Sequence, residues 1–364
     1  KKVDDYLVQW SKERVEAGEA SADNGYSRDS FIIEAKAPRF GSGEAKGQIS
    51  QSVRGVDLYL MVDVMNYSLT YKMSGYENAM SPDDHFQDLK RIIAAACNKS
   101  RRINVIMPYL YEGRQLLQNG RESLDCSSAL QEIIDLGIDN IITFDPHDVR
   151  VQNAIPYAGF EAVTPTYQFI KNILRAEPDL KVDSSHLMVV SPDEGGMSRA
   201  IYLANVLGVD MGMFYKRRNY STVENGKHPI IAHEFLGSDV EGKDIIIIDD
   251  MISSGEGVLE TATLLKKKKA NRIFICATFG VLTGGTAPFD EAYSKGIFTK
   301  LITTNLIYQT EELLSREYYV SCDMSKYLAL IIDTLNHDGS LSSLLNPIDR
   351  INKVLDKHAR GEKI

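Results

Sequence analysis

The sequence predicts an α/β protein of two halves, each a mainly parallel β-sheet flanked by helices. Short apolar runs of strand length alternate along the chain with segments of helical periodicity. This alternation is typical of parallel sheets whose strands are joined by right-handed crossovers. The chain has 364 residues, more than one hydrophobic core usually holds, so two domains are expected.

Composition and charge exclude several classes of protein. Charged residues make up 25% of the chain and hydrophobic residues 43%, as in an ordinary globular protein. A net charge of −9 without a basic cluster argues against a nucleic-acid partner. No apolar run approaches the roughly 18 residues of a membrane span, so no membrane partner is expected.

The cysteines and the N-terminal stretch bear on the cellular compartment. Four cysteines, Cys97, Cys126, Cys276 and Cys322, are widely spaced and form no CxxC pair, which favours a reducing compartment and argues against a structural zinc. The first residues are amphipathic but lack the apolar core of a signal peptide. We therefore expect a cytoplasmic protein.

The first half opens with a helix and continues with strands and helices in alternation. Ser81-Pro82-Asp83-Asp84 predicts a helix start, because serine caps, proline suits the first helical position and acids favour the first turn. The predicted elements are a helix over 3–17, a strand starting at 31–35, a strand over 56–64, a helix over 81–99, a strand over 103–109, a helix over 123–136 and a strand over 140–144.

The second half repeats the alternation around one buried strand. Four consecutive isoleucines, Ile245–Ile248, predict a strand covered on both faces. The other predicted elements are helices over 164–174, 197–207 and 327–336, a helix starting at 258, strands over 186–190, 210–214, 272–278 and 301–304, and a basic loop over 216–218. Residues 18–30, 111–122 and 215–230 are expected to be mobile.

The end of the isoleucine strand predicts a site for a phosphorylated ligand. Asp249 and Asp250 follow the isoleucines, then a small polar turn over 253–257, then a helix. Amide groups and the dipole of a helix N-terminus attract phosphate, and paired carboxylates suit ribose hydroxyls or Mg²⁺. The alternative is an ordinary strand-to-helix turn.

Polar groups also follow the other predicted strands, where ligands of open α/β sheets bind. These groups are Arg114 with Gln115, His147, Asp193 with Gly195 and Gly196, and Lys216 with Arg218. Carboxylates, glycine turns and cations together suit phosphoryl transfer, in which positioning and electrostatics dominate catalysis. Neither a GxxxxGK[ST] nor a GxGxxG pattern follows a strand. Taken singly, an Arg-Gln pair, a loop histidine or a basic turn is more often an ordinary surface feature.

Several segments resemble those of ribose-phosphate diphosphokinases, the synthetases of 5-phosphoribosyl-1-diphosphate (PRPP). IIIIDDMISSGEG resembles the PRPP loop, which type I phosphoribosyltransferases share. The segments that resemble the synthetases specifically are VVSPDEGGMSRA, RFGSGEAKGQISQSVRGVDLYLM, INVIMPYLYEGRQ, ITFDPHDVRVQNAIP and FYKRR. They occur in the family's order over roughly residues 38–335, as in a divergent, longer bacterial-type member.

The resemblance implies an activity and a set of site residues. Such enzymes transfer the diphosphoryl group of Mg-ATP to the C1 hydroxyl of ribose 5-phosphate, which yields PRPP and AMP. The implied ribose-5-phosphate residues are Asp249, Asp250, Ser253, Ser254, Gly255, Glu256 and Gly257. The implied ATP-binding residues are Phe40, Ser42, Gly43, Glu44, Arg114, Gln115 and His147. His147 and Asp193 match positions linked to Mg²⁺, and Lys216 and Arg218 match the catalytic cations.

The chain departs from the family pattern at three places. Ser253-Ser254-Gly255-Glu256-Gly257 replaces Asp-Thr-Gly-Gly-Thr, which puts a carboxylate beside the expected phosphate and removes a hydroxyl donor. Ser42 replaces an aspartate. Leu116–Gly120 replaces charged residues near the ATP phosphates. An active synthetase is predicted, and the alternatives are a weakened regulatory relative or a transferase that consumes PRPP.

The resemblance also implies the organisation of the whole molecule. We expect two type I phosphoribosyltransferase-like domains, over 1–165 and 166–340, with a helical tail over 341–364. The active site is expected between the domains, with the Phe40–Glu44 element reaching the adenine from a neighbouring subunit. A dimer-based homo-oligomer, with a hexamer as one form, is therefore expected.

Overall fold

The computed structural model describes residues 1–21, 27–96, 99–115, 118, 120–218 and 230–364, with the backbone alone at 216–218 and 230–233. Its helices are α1 Lys2–Glu16, α2 Pro82–Ala96, α3 Asp125–Asp135, α4 Thr166–Ala176, α5 Met197–Leu207, α6 Glu256–Lys267, α7 Ala287–Ser294, α8 Glu311–Leu314, α9 Ser325–Asn336, α10 Ser342–Leu345 and α11 Ile348–Ala359, with a 3-10 helix over Val149–Ala154. Its strands are β1 Ala35–Lys36, β2 Gln48–Ile49, β3 Asp57–Met61, β4 Thr70–Met73, β5 Tyr76–Ala79, β6 Arg102–Ile106, β7 Asn140–Phe144, β8 Gly159–Val163, β9 Leu187–Ser191, β10 Asp210–Arg218, β11 Ile230–Leu236, β12 Asp244–Ile252, β13 Ile273–Gly280, β14 Lys300–Thr304 and β15 Tyr319–Cys322.

The chain divides into two compact units. The first comprises residues 1–164, 306–308 and 323–346, and the second comprises 165–305, 309–322 and 347–364. Each unit has its own sheet and its own core. The prediction of an α/β fold with two mainly parallel sheets flanked by helices is confirmed.

The first unit contains a parallel sheet in the order β3-β6-β7-β8. Its core joins this sheet to α2 and α3 through fully buried side chains such as Ile93, Ile133 and Ile141. Two small antiparallel pairs, β1 with β2 and β4 with β5, belong to the same unit. The first strand was expected over 31–35, but only its last residue pairs, in β1.

The second unit contains a sheet in the order β11-β10-β9-β12-β13-β14-β15. All neighbouring pairs are parallel except β10 with β11. The isoleucine run lies in β12, where Ile245 and Ile247 face one core and Ile246 and Ile248 face the other. Helices α6 and α7 cover the first face, and α4, α5 and α11 cover the second, which explains why all four positions are apolar.

The prediction of a basic loop over 216–218 is wrong, because these residues form the end of β10. Pairing of β10 with β9 stops at Met213, and from there β10 pairs only with β11. Beyond Met213, β10 is paired on one side only, and its polar residues show no apolar strand pattern. The strands β2, β4, β5, β8, β11 and β15 and the short helices α7 and α8 were also not predicted.

The helices of the described ranges are all too short or too polar to cross a membrane. Of the regions expected to be mobile, residues 22–26, 116–117, 119 and 219–229 lie outside the described residues.

Candidate active site

The strand order of the second unit creates a crevice between β9 and β12. From β9 the chain passes through α5 to β10 on one side, whereas β12 leads through α6 to β13 on the other. Helices α5 and α6 therefore lie on opposite faces of the sheet. Where the connections diverge in this way, the carboxyl ends of the two strands border a binding crevice.

The acidic pair lies on the β12 wall of this crevice. Pairing of β12 with β9 ends at Ile247, but pairing with β13 continues through Asp249 to Ile252. Asp249 and Asp250 therefore lie inside β12 rather than after it, where β9 no longer covers them. Asp250 is only 3% exposed. The two carboxylates are held by strand backbone, which fixes them more firmly than a loop would.

Electrostatics around the pair are strongly negative. The amide of Asp250 donates a hydrogen bond of 2.9 Å to Oδ1 of Asp249. Burial raises the pKa of Asp249 far above its ordinary value, and repulsion from Asp250 and Asp193 raises it further. A guanidinium nitrogen of Arg199 lies 3.8 Å from Oδ2 of Asp250. Such a pair is suited to accept hydrogen bonds from sugar hydroxyls or to face a cation.

The turn after β12 forms the N-terminus of α6. Gly255 has φ +90°, and a Cβ there would lie 2.6 Å from the ring of Phe289, so only glycine fits. The amides of Gly255, Gly257 and Val258 have no hydrogen-bond partner among the residues that the structure describes. Free amides at the start of a 12-residue helix form a site for phosphate.

The same turn accepts backbone hydrogen bonds from the segment that follows β13. Thr283 donates from its amide to the carbonyl of Ser253 over 2.9 Å, and the amides of Val281 and Leu282 donate to the carbonyl of Ile252. Ser254 and Glu256 are exposed, and Ser253 is half-buried. The Glu256 carboxylate is therefore in water, where its repulsion of a bound phosphate is screened.

Asp193 lies on the β9 wall, in the turn that leads to α5. Its Oδ1 accepts hydrogen bonds from the amides of Gly195 (2.9 Å) and Gly196 (3.3 Å). Its Oδ2 has no partner within the described ranges. A fixed carboxylate with one oxygen available fits Mg²⁺, which takes one or two protein carboxylates and completes its octahedron with water and substrate oxygens.

No three His, Cys, Asp or Glu side chains cluster as a metal site within the described part of the chain. Lys216 and Arg218 lie in β10 opposite His233 and Ile230, and their side chains are outside the described residues.

The predicted adenine element of the first unit is the tip of a tight turn. The amide of Phe40 donates to the carbonyl of Glu44 over 2.7 Å, and the amide of Gly43 donates to the carbonyl of Phe40 over 2.9 Å. Gly43 has φ +92°, and a Cβ there would lie 2.7 Å from Sδ of Met73. Ser42 donates from its hydroxyl to the Glu44 carboxylate. Phe40 is 55% exposed, so its side chain is not part of the core of this unit.

The other predicted ATP residues follow β6 and β7, which are neighbours in the sheet of the first unit. Arg114 is exposed and has no partner among the described side chains and backbone. Gln115 donates from its side-chain amide to the carbonyl of Ser123 over 3.0 Å, and therefore braces its own loop. His147 is exposed, beside a half-buried Asp148 that caps the 3-10 helix. These groups share the carboxyl edge of the sheet.

Sequence reasoning missed one residue of the β9–β12 crevice, Arg199. It lies within VVSPDEGGMSRA, three residues after Gly196, and so its guanidinium can reach back over the turn. Its position in the first turn of a helix that follows a glycine pair was the available signal.

Two family models match the chain. The N-terminal domain of ribose phosphate pyrophosphokinase matches residues 27–137, and the phosphoribosyl transferase domain matches residues 166–316. The ribose-phosphate pyrophosphokinases of Vibrio parahaemolyticus and Aquifex aeolicus are each 28% identical, over 86% of this chain and 91% of theirs. The crystal structure of phosphoribosylpyrophosphate synthetase from Mycobacterium smegmatis has a TM-score of 0.70 at 23% identity, over 85% of this chain and 93% of that one. The structural likeness shows a shared fold.

Proposed function

The chain belongs to the ribose-phosphate pyrophosphokinase family, and we propose that it is an active enzyme of this kind. It transfers the diphosphoryl group of Mg-ATP to the C1 hydroxyl of ribose 5-phosphate, giving PRPP and AMP. The observation that carries the proposal is the crevice of the second unit. There the buried Asp250 and the half-buried Asp249 lie next to a helix N-terminus with free amides, as a sugar phosphate requires.

The second unit binds ribose 5-phosphate. Its 5-phosphate takes hydrogen bonds from the free amides of Gly255 and Gly257 and from the hydroxyls of Ser253 and Ser254. Its ring hydroxyls donate hydrogen bonds to the carboxylates of Asp249 and Asp250, one hydroxyl to each carboxylate. The carboxylates accept from the ring hydroxyls while the amides of the helix N-terminus donate to the 5-phosphate. Together they orient the sugar so that its C1 end points away from the helix. Glu256 completes the loop and remains in water.

The first unit binds ATP. Phe40 stacks on the adenine, and Ser42, Gly43 and Glu44 hold the nucleoside. Arg114, Gln115 and His147 bind the phosphates from the carboxyl edge of their sheet. The exposure of Phe40 and the lack of any partner for Arg114 in the described residues support this assignment, because both groups are available to a ligand.

The chemical step joins the two substrates. The C1 hydroxyl oxygen forms a bond to the β-phosphorus of ATP while the bond from that phosphorus to the α,β-bridging oxygen breaks. AMP leaves with the bridging oxygen, and the hydroxyl proton is released. Lys216 and Arg218 bind the diphosphoryl group during transfer and balance its charge. Asp193 in the second unit and His147 in the first would each offer a ligand atom to Mg²⁺, which would supply charge neutralisation for the ATP phosphates.

Incubation of the purified full-length chain with Mg-ATP and ribose 5-phosphate tests the proposal, with AMP as the measured product. We expect AMP to form in proportion to added ribose 5-phosphate, and the Lys216→Ala variant to give at most about one hundredth of that rate. No AMP above this variant would refute catalysis.

Two further outcomes decide between the alternatives. Binding of ribose 5-phosphate without AMP formation would support a regulatory relative, which the altered Leu116–Gly120 segment allows. Consumption of PRPP with a nucleobase would support a transferase. The match to the N-terminal domain of ribose phosphate pyrophosphokinase over residues 27–137 argues against a transferase, which has no need of the ATP elements in that region.

We also propose that the enzyme is a dimer-based homo-oligomer. Exposed apolar side chains lie on or next to the β4–β5 pair of the first unit, namely Tyr67, Leu69, Met73 and Tyr76. Apolar groups grouped on one surface favour association. Light scattering coupled to gel filtration is expected to give a mass that is an even multiple of 40.7 kDa, and a monomer would contradict this.

A further inference from the structure

We propose that Arg199 is a positioning residue of the ribose-phosphate site. It holds the Asp250 carboxylate in its orientation by bridging the two walls of the β9–β12 crevice. This inference rests on the proposed function of that site. Arg199 itself is not assigned to substrate contact. It acts on the ribose through Asp250.

The geometry of the bridge is defined by two contacts of one guanidinium. One terminal nitrogen of Arg199 lies 3.4 Å from the carbonyl oxygen of Gly195, on the β9 wall. The other terminal nitrogen lies 3.8 Å from Oδ2 of Asp250, on the β12 wall. A planar guanidinium can serve two acceptors at once because its nitrogens point in fixed, diverging directions. Arg199 therefore connects the turn that carries Asp193 to the strand that carries the acidic pair.

Burial makes this contact matter more than a surface ion pair would. The side chain of Arg199 is 13% exposed and that of Asp250 is 4% exposed. Water screens such a pair only weakly, so the contact constrains both side chains more than a surface pair would. Without Arg199, the Asp250 side chain would lose a contact that fixes its orientation. A carboxylate that is less well oriented is a poorer acceptor for a sugar hydroxyl.

The local charge balance strengthens the argument. Asp193, Asp249 and Asp250 bring three carboxyl groups to this crevice. The Arg199 guanidinium lies against Asp250, and Oδ2 of Asp193 has no partner within the described ranges. The effect of Arg199 is therefore expected on ribose 5-phosphate, whereas ATP is proposed to bind through residues of the first unit.

The test compares ligand affinities of the full-length chain by calorimetry, with ribose 5-phosphate and with ATP in separate titrations. We expect Arg199→Gln to bind ribose 5-phosphate at least about tenfold more weakly than the wild type, with an unchanged affinity for ATP. Arg199→Lys keeps the charge but not the two-way contact, and an intermediate affinity is expected. Arg175→Gln is the matched control, because Arg175 contacts the carbonyl of Ile364 and no carboxylate of the crevice.

A double-mutant cycle separates positioning from direct contact. In the Asp250→Asn background, Arg199→Gln is expected to change the affinity for ribose 5-phosphate by less than about twofold, because the group through which it acts is already gone. A full additional loss in that background would overturn the inference and indicate that Arg199 touches the ligand.

The remaining outcomes are also decisive. An Arg199→Gln variant with wild-type affinity for ribose 5-phosphate overturns the inference and leaves the proposed function intact. Equal losses for both ligands, with a lower melting temperature, would show a merely structural role. If Arg199→Gln does not fold, the Lys variant decides by the same comparison. A wild-type chain that binds no ribose 5-phosphate refutes the proposed function itself, and the inference with it.

Discussion

The buried position of the Asp249 carboxylate lowers the stability of the folded chain as the pH rises. Burial, with repulsion from Asp250 and Asp193, raises the pKa of Asp249 to about 8, from an ordinary value near 4. The folded chain therefore keeps a proton that the unfolded chain has released. The contribution of this carboxyl to stability is complete below about pH 4 and is lost as the pH rises through about 8.

Replacement of Asp249 by asparagine is expected to remove this pH dependence and the affinity for ribose 5-phosphate together. The melting temperature of Asp249→Asn minus that of the wild type should grow between about pH 5 and about pH 8, reaching several degrees. Thermal denaturation without Mg²⁺ or substrate measures it. A difference that does not change with pH would contradict the prediction.

Phe40 is a second residue whose role can be separated from stability. Because its ring is 55% exposed, Phe40→Ala should change the free energy of unfolding by less than about 1 kcal/mol. Loss of a stacking surface should raise the Kd for ATP by roughly tenfold, since a base–aromatic contact contributes about 1–3 kcal/mol. Calorimetry with ATP measures this effect. Tyr157→Ala, which also removes an exposed ring of the first unit, is the control and should bind ATP normally.

At the scale of elements, the turn between β12 and α6 depends on one glycine. Gly255→Ala would require φ +90° of an L-residue and would place a Cβ 2.6 Å from the fully buried ring of Phe289. Backbone strain of about 1–2 kcal/mol adds to an overpacking cost of about 1–3 kcal/mol. We expect a lower melting temperature and loss of ribose-5-phosphate binding.

The matched control for that prediction is Gly296→Ala. Gly296 also has a positive φ, of +68°, but nothing lies within 4 Å of a Cβ there. Its substitution should cost the strain alone and leave ligand binding intact. Equal melting temperatures for the two variants would show that contact with Phe289 does not determine the shape of the turn.

The sequence predicted those elements in which every position meets the same requirement, such as burial on both faces of a strand. Ile245–Ile248 predicts a buried strand because both faces of β12 are covered, and Asp249 and Asp250 stand out against that run. The strand predicted over 210–214 forms the first part of β10. The end of β10 and all of β11 were not predicted, because beyond Met213 these strands pair only with each other and their sequences show no apolar pattern. The crevice itself follows from strand order, which no local pattern encodes. The contact of Arg199 with Asp250 follows from the same strand order, because β9 and β12 are neighbours in the sheet although they are far apart in the sequence.

At the scale of the whole molecule, the units are not contiguous in sequence. Residues 323–346 belong to the first unit although β15, just before them, is part of the second unit's sheet. Asp63 illustrates how such segments are attached, since its half-buried carboxylate accepts a hydrogen bond of 2.6 Å from the amide of Tyr308. Burial raises the pKa of Asp63 above its ordinary value. A division of the sequence at one point therefore does not describe these units.

Helix α1 is attached to the first unit through α9, and this attachment can be tested apart from catalysis. Arg14 makes two hydrogen bonds, of 2.7 and 2.6 Å, to the carboxylate of Asp333, and the two side chains are 30% and 18% exposed. A bidentate, partly buried pair contributes more than a surface pair, so Arg14→Ala should lower the free energy of unfolding by about 1–2 kcal/mol. Lys2→Ala is the control, because the Lys2–Asp323 pair is 69% and 49% exposed and should contribute little. Since α1 carries none of the proposed site residues, both variants should form AMP at the wild-type rate below their melting temperatures. A loss of activity in Arg14→Ala at a temperature where it is still folded would instead connect α1 to the chemistry.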